Sequence, residues 1–185
     1  MKTIKNEKGF SLLELLLSLA IISALIVAAF IVYPRVKASN EVNQETKNLS
    51  AIYAASRELF SSSSDYSKWS LNILVKAKAL PDNMIFSEST SEYRNAWGRN
   101  VKYSLYATPE SGYTYTAGYT LIYEVSENAC SKFITAVFPM VAIIKVAGTS
   151  IKSSPSDQID VSKISENCAK PYTDDLVAIN LTYLP

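Results

Sequence analysis

From Leu15 to Tyr33 the chain carries no charged side chain. That run restricts the fold more than any other feature, because about 20 mainly apolar residues are enough to cross a bilayer as a helix. Its wider frame is Gly9 to Pro34, Gly-Phe-Ser-Leu-Leu-Glu-Leu-Leu-Leu-Ser-Leu-Ala-Ile-Ile-Ser-Ala-Leu-Ile-Val-Ala-Ala-Phe-Ile-Val-Tyr-Pro. One residue does not suit a plain anchor. Glu14 sits near the start of the run, and a carboxylate at the centre of a spanning helix costs about 2.5–3.5 kcal/mol, less near the interface. Two readings follow: a glutamate that snorkels to the headgroups, or one kept for use.

The residues before the run separate these readings. Met1 to Gly9 is short and polar, with Lys2, Lys5 and Lys8 against Glu7. Positive charge here favours holding this end in the cytoplasm. An ordinary secretory signal places its small-residue cleavage site after the apolar region; here the small residue, Gly9, comes before it. A cut between Gly9 and Phe10 would remove the charged leader, keep the apolar segment, and make Glu14 the fifth residue of the new chain.

Lys8-Gly9-Phe10, then Ser11-Leu12-Leu13-Glu14-Leu15, then the unbroken apolar run, resembles the N-terminus of the type IV pilins. The resemblance implies a prepilin peptidase of the inner membrane that cleaves after Gly9 and N-methylates Phe10. It also implies that Glu14 serves assembly, pairing with the Phe10 amine of a neighbouring subunit or of its own.

Length and composition narrow the rest. With 185 residues, one globular domain beyond the apolar segment is expected. Losing residues 1–9 removes three lysines and one glutamate, taking the formal charge from +1 to −1. A near-neutral chain has no long-range attraction for nucleic acid or anionic surfaces. There is no histidine, so the commonest general base and transition-metal ligand are both missing. Two cysteines cannot form a zinc site without histidines or a partner chain. The one close carboxylate pair, Asp174-Asp175, would point to opposite faces of a strand. No catalytic, cofactor-binding or metal-ligating set is expected, and an enzyme is not. Cys130 and Cys168 are the only cysteines. In a domain delivered outside the inner membrane an oxidised pair is the default, worth about 4 kcal/mol for a loop of this length; two free buried thiols are the alternative.

Past Pro34 the chain is polar to Lys47. An apolar stripe then returns at Leu49, Ile52, Tyr53, Ser56, Leu59 and Phe60, spaced for one helix face and broken only by Ser56. The spacing predicts Leu49, Ile52, Leu59 and Phe60 packed under other elements, on a helix of about 50 residues and roughly 75 Å that stops at Ser61–Ser64. A second helix is predicted over 67–79, ended by Leu80-Pro81. From Val101 the period becomes two. Strands are predicted over 101–106 and 113–125, the second broken at Ala117-Gly118, with 108–112 as their connection. Residues 126–138 read as a helix with Ser126 as N-cap, 140–146 as a strand, 147–149 as a turn, 151–153 as a return, 154–170 as a loop and 176–184 as a last strand. In that strand Val177, Ile179, Leu181 and Tyr183 should face the long helix. Helices and antiparallel strands kept apart make the class α+β.

Leu80-Pro81-Asp82-Asn83-Met84, Asn95-Ala96-Trp97-Gly98-Arg99-Asn100-Val101, Cys130-Ser131-Lys132-Phe133 and Ile144-Lys145-Val146-Ala147-Gly148-Thr149 look like the globular head of type IVb pilins. The nine-residue leader and Phe10 look instead like type IVa. No glycine lies between Phe10 and Tyr33, so Ser18, Ser23 and Pro34 are the only candidate places for the local opening of the stem that glycine favours in fibres of this family. The resemblance implies the pilin fold, a long N-terminal helix against an antiparallel sheet. The organisation is then a leader 1–9, an apolar stem 10–34, an amphipathic helix half 35–61, and a head 62–185 with a disulfide-closed region 130–168. It implies a pilus subunit for adhesion, aggregation or motility, first in the inner membrane with its head in the periplasm and then in an extracellular fibre. The implied partners are other copies of the chain, the peptidase, membrane lipid, an assembly platform with a cytoplasmic ATPase, an outer-membrane secretin and minor pilins. A minor pilin or secretion pseudopilin shares these features, and a membrane-tethered binding domain is the rival of another class.

Local features carry two readings each. Trp97-Gly98-Arg99 is a ligand-reading loop or a core plug. Arg94, Arg99 and Lys102 are a nucleic-acid patch or scattered surface charge, and the neutral chain disfavours the patch. Tyr103, Tyr106, Tyr113, Tyr115, Tyr119 and Tyr123 bind sugars or cells, or pack a sheet.

Overall fold

The computed structural model describes residues 11–63, 65–87, 89–110, 113–172 and 175–184. Gly9, Phe10 and Asp174 lie outside them. Two compact units are distinguished, Met1–Lys37 and Ala38–Pro185.

Helix α1 runs Leu12–Leu59 with Pro34 inside it. Proline has no N–H to give the helix at that position, yet the helix continues through it. The first unit contains the apolar part. Its large side chains from Leu12 to Val36 are all exposed, and the helix is long and apolar enough to cross a membrane. In the second unit α1 buries Ala38, Val42, Glu45, Leu49, Ile52 and Ser56. Their spacing of four and three residues keeps them on one helix face. The packed face therefore starts about three turns before Leu49, inside the stretch that reads as polar. Two positions differ from the sequence reading: Leu59 is 45% exposed, whereas Ser56 is 1% exposed. Ser56 is buried because its hydroxyl accepts a 2.9 Å hydrogen bond from the Trp69 indole.

The next elements are short. Helix α2 (Leu71–Lys76) is capped by Ser70, whose hydroxyl accepts from the Ile73 N–H. It is shorter than predicted; Trp69 precedes it, and Lys78, at φ 52°, lies past its end. A 3₁₀ turn (Asp82–Met84) leads to β1 (Ile85–Ser87) and β2 (Glu92–Tyr93), a small antiparallel pair. Strands β3 (Lys102–Glu110) and β4 (Tyr113–Ser126) follow, then helix α3 (Glu127–Val137), β5 (Ile143–Val146), β6 (Thr149–Lys152), helix α4 (Val161–Cys168) and β7 (Leu176–Tyr183). Helix α4 lies inside the span predicted to be a loop. Its start is signalled by Asp160, whose carboxylate accepts from the Lys163 N–H, and it buries Ile164 and Cys168, one turn apart.

Five strands form one antiparallel sheet in the order β3-β4-β7-β5-β6. Ala117-Gly118 does not break β4. Tyr106 pairs with Gly118 and Ala107 with Thr116, so Ala117 is the extra residue of a bulge. Gly118 lies so close to β7 that a Cβ there would meet the Tyr183 carbonyl. Ala147 and Gly148, at φ 48° and 81°, make the tight turn from β5 to β6.

One sheet face carries Tyr119, Leu121, Tyr123 and Val125 of β4 with Val177, Ile179, Leu181 and Tyr183 of β7, all buried. Against it lie α1 and a row of rings. Trp69 stacks on Tyr119 at 3.8 Å, Tyr119 on Tyr183 at 5.1 Å, and Tyr183 meets Tyr53 of α1 at 5.5 Å. Packing thus accounts for Tyr119 and Tyr123. Cys130 on α3 and Cys168 on α4 are joined by a disulfide, their Cα atoms 5.7 Å apart. On β6, Lys152 is buried; its ammonium donates to the Phe138 carbonyl at 2.8 Å and lies over the Phe138 ring. Burial lowers its pKa, while the nearby Asp157 charge opposes the shift.

Candidate functional site

The amino-terminal turn of α1 comes first. The Ser11 carbonyl accepts from the N–H groups of Glu14 (3.0 Å) and Leu15 (3.2 Å), closing the first helical turn. Glu14 is the acidic residue of that turn, where the unpaired N–H groups favour negative charge. It is exposed beside Leu12, Leu13, Leu15 and Leu16, which are exposed as well. The serines of the stem bond to their own helix. Ser18 Oγ donates to the Leu15 carbonyl at 2.9 Å and Ser23 Oγ to Leu19 at 2.7 Å, which shields both hydroxyls from an apolar surrounding. Such a surface cannot remain in water, so lipid or other apolar helices must cover it. Gly9 and Phe10, the residues predicted to flank the cut, lie outside the described residues.

In the head, a polar network absent from the sequence reading holds α1 to two loops. The Glu45 carboxylate is fully buried. Its Oε2 accepts from the Ala96 N–H at 2.8 Å and from Asn48 Nδ2 at 3.2 Å. Asn48 Oδ1 in turn accepts from Asn83 Nδ2 at 3.1 Å. Burial raises the Glu45 pKa, and the bonds from Ala96 and Asn48 oppose the rise. Tyr123 lies near this carboxyl, but its hydroxyl and Glu45 Oε1 close no hydrogen bond. Burial also pushes the Tyr123 hydroxyl well above its ordinary pKa.

The loop that Glu45 grips is braced from within. Asn95 Oδ1 accepts from the N–H groups of Trp97 and Arg99, and Asn95 Nδ2 donates to the Glu124 carbonyl at 2.9 Å. Trp97 is half-buried with its ring 5.1 Å from Phe133, the position of a plug. Of the basic trio, Arg94 stacks its guanidinium on Phe86 at 3.3 Å, while Arg99 and Lys102 are exposed. Among the described residues, no group of three or more histidine, cysteine, aspartate or glutamate side chains is placed to hold a metal. The polar side chains of Glu45 and Asn95 serve to fix this loop.

Comparison with known proteins agrees with this division of labour. Residues 4–30 match the model of the prokaryotic N-terminal methylation motif. Residues 39–181 match the family model described as PilS N terminal. Among solved structures, a type IVb pilin from Salmonella typhi is similar in fold, with a TM-score of 0.60 at 16% identity over 77% of this chain and 99% of that one. No curated protein matches. Because the PilS model spans most of the head and the methylation motif spans the stem, the chain belongs to the type IV pilin family, a family of structural pilus subunits rather than enzymes.

Proposed function

We propose that the chain is a precursor, cut between Gly9 and Phe10 by a prepilin peptidase that then methylates the Phe10 amine, and that the product polymerises through its stem. Before assembly it crosses the inner membrane once, with residues 1–9 in the cytoplasm and the head in the periplasm. An assembly platform driven by a cytoplasmic ATPase then packs the stems into the centre of a fibre. The fibre leaves through an outer-membrane secretin, with minor pilins in smaller number. The observation that carries this reading is the exposed apolar surface from Leu12 to Tyr33, with Glu14 as its one carboxylate. Lipid covers that surface first and neighbouring stems cover it later.

Glu14 fits both settings. At the membrane edge its charge costs little. In a bundle of stems it finds a partner in the Phe10 amine. An unpaired buried charge costs several kcal/mol, roughly 3–5 when one member of a pair is lost, so the pairing selects the stagger of the subunits. Glu14→Ala is expected to insert and be cleaved normally yet yield no fibres, scored by electron microscopy of sheared material. Wild-type fibre yield from that variant would overturn the role given to Glu14.

A further inference from the structure

The sheet face turned away from α1 differs in chemistry from the packed one. Cross-strand pairing sets Ser104 beside Thr120 and Thr120 beside Thr182, while the neighbouring row sets Asn180 beside Lys145. With Tyr106 at one end, these side chains line a groove of about 340 Å³, near the lower end of the roughly 300–1,000 Å³ of small-molecule sites. Among the described residues, Ile143 is its one aliphatic wall residue.

The polar groups here do little for the fold. Thr120 and Thr182 share a 2.8 Å hydrogen bond, which leaves further lone pairs on both hydroxyls. Asn180, half-buried in the central strand, has a side-chain amide with no hydrogen bond to any described residue, and the exposed Lys145 ammonium has no ion pair among them. A mid-sheet asparagine and lysine contribute little to strand formation, so their value lies in what they present.

We propose that this groove binds an acidic saccharide. Hydroxyls and an amide match the alternating donors and acceptors of a sugar ring, and the Tyr106 ring offers a flat face to stack against. Among the described residues that line the groove, Lys145 is the only charged one, which selects a carboxylate-bearing sugar over a neutral one. A nucleic acid would need several cations along its backbone, and a peptide anchored by apolar side chains would need more than Ile143. The groove lies wholly within the unit Ala38–Pro185, so a single chain can bind whether or not chains polymerise. Repetition along a fibre would add avidity, and that part alone rests on the pilus reading.

The test uses the full chain in detergent micelles, titrated with trigalacturonate and with its carboxyl-reduced, neutral counterpart, followed by amide chemical shifts. The acidic trisaccharide is expected to bind about tenfold more tightly than the neutral one, the value of one charge-assisted contact, with shifts centred on Lys145, Asn180 and Thr182. Lys145→Ala should abolish that preference and Lys145→Arg should keep it, while Asn180→Ala weakens both ligands. Unchanged spectra elsewhere show that each variant is folded. The proposal is overturned if neither saccharide binds, if shifts fall away from the groove, or if Lys145→Ala leaves the preference intact. It is likewise overturned if Lys145→Ala lowers fibre yield while wild type binds no saccharide, since the groove would then be a contact between heads.

Discussion

Glu45 of the long helix receives the backbone N–H of Ala96 at 2.8 Å, across 51 residues of chain. A buried carboxylate is an expensive way to anchor a loop unless it accepts well-placed donors or takes up a proton. Here Ala96 and Asn48 supply the donors, and burial raises the pKa above its ordinary 4.5.

The sign of the pH effect follows from that rise. A folded chain that holds its proton to higher pH than the unfolded chain is favoured at low pH. The contribution is complete below about pH 4.5 and is lost as pH climbs through the raised value. Every tenfold gain in proton affinity on folding amounts to about 1.4 kcal/mol. Glu45→Gln keeps an acceptor and cannot ionise. Urea unfolding from pH 4 upward is expected to show its stability rising relative to wild type as pH increases, whereas parallel curves would refute the raised pKa. Glu45→Ala, which cannot ionise either, is expected to lose about 1–3 kcal/mol near pH 4, because the Ala96 N–H is left without an acceptor, and less as pH rises through the raised Glu45 pKa.

Ser56 is, with Glu45 and Asn48, one of the polar residues that α1 buries. Ser56→Ala removes the acceptor of the Trp69 indole N–H, which is buried in the stack on Tyr119. The expected cost is about 1–3 kcal/mol, read from urea midpoints. Ser50→Ala, on the exposed side of the same helix, is the control expected to change little.

Gly118→Ala tests the close approach of β4 and β7. Its Cβ would press on the Tyr183 carbonyl, and backbone cannot swing aside as a side chain can. Overpacking of this kind costs about 1–3 kcal/mol. Hydrogen exchange should show faster opening at Tyr119 and Tyr183, and unaltered exchange there would count against the contact.

The bond between Cys130 and Cys168 ties α3 to α4. The double change Cys130→Ser with Cys168→Ser is expected to lose about 2–5 kcal/mol. Reductant should lower the melting temperature of wild type toward that of the variant and leave the variant unmoved.

The sequence makes some of this readable and hides the rest for physical reasons. The apolar run needs no tertiary context, since nineteen uncharged residues in a row suit very few surroundings. The alternation in β7 is equally plain, and Val177, Ile179, Leu181 and Tyr183 are buried as it predicts. Glu45 is hidden because a carboxylate among Arg35, Glu41 and Lys47 reads as solvated; only partners 3 and 51 residues away make its burial tolerable. Ala38 and Val42 are the available signal, continuing the heptad-like spacing backward from Leu49. Helix α4 escapes a periodicity reading because only Ile164 and Cys168 mark its inner face, although Asp160 in the N-cap position announces it. The groove on the far sheet face depends on register across the whole sheet, which no local pattern reveals.

The central claim is that the chain is processed at Gly9 and built into a fibre through its stem. Intact-mass and fragmentation analysis of the subunit in sheared surface fibres tests it most directly. The major subunit is expected to begin at Phe10, to bear one methyl group on its α-amine and to retain the Cys130–Cys168 bond. A chain that keeps Met1 to Gly9, or one absent from the fibres while abundant in the membrane, would contradict it.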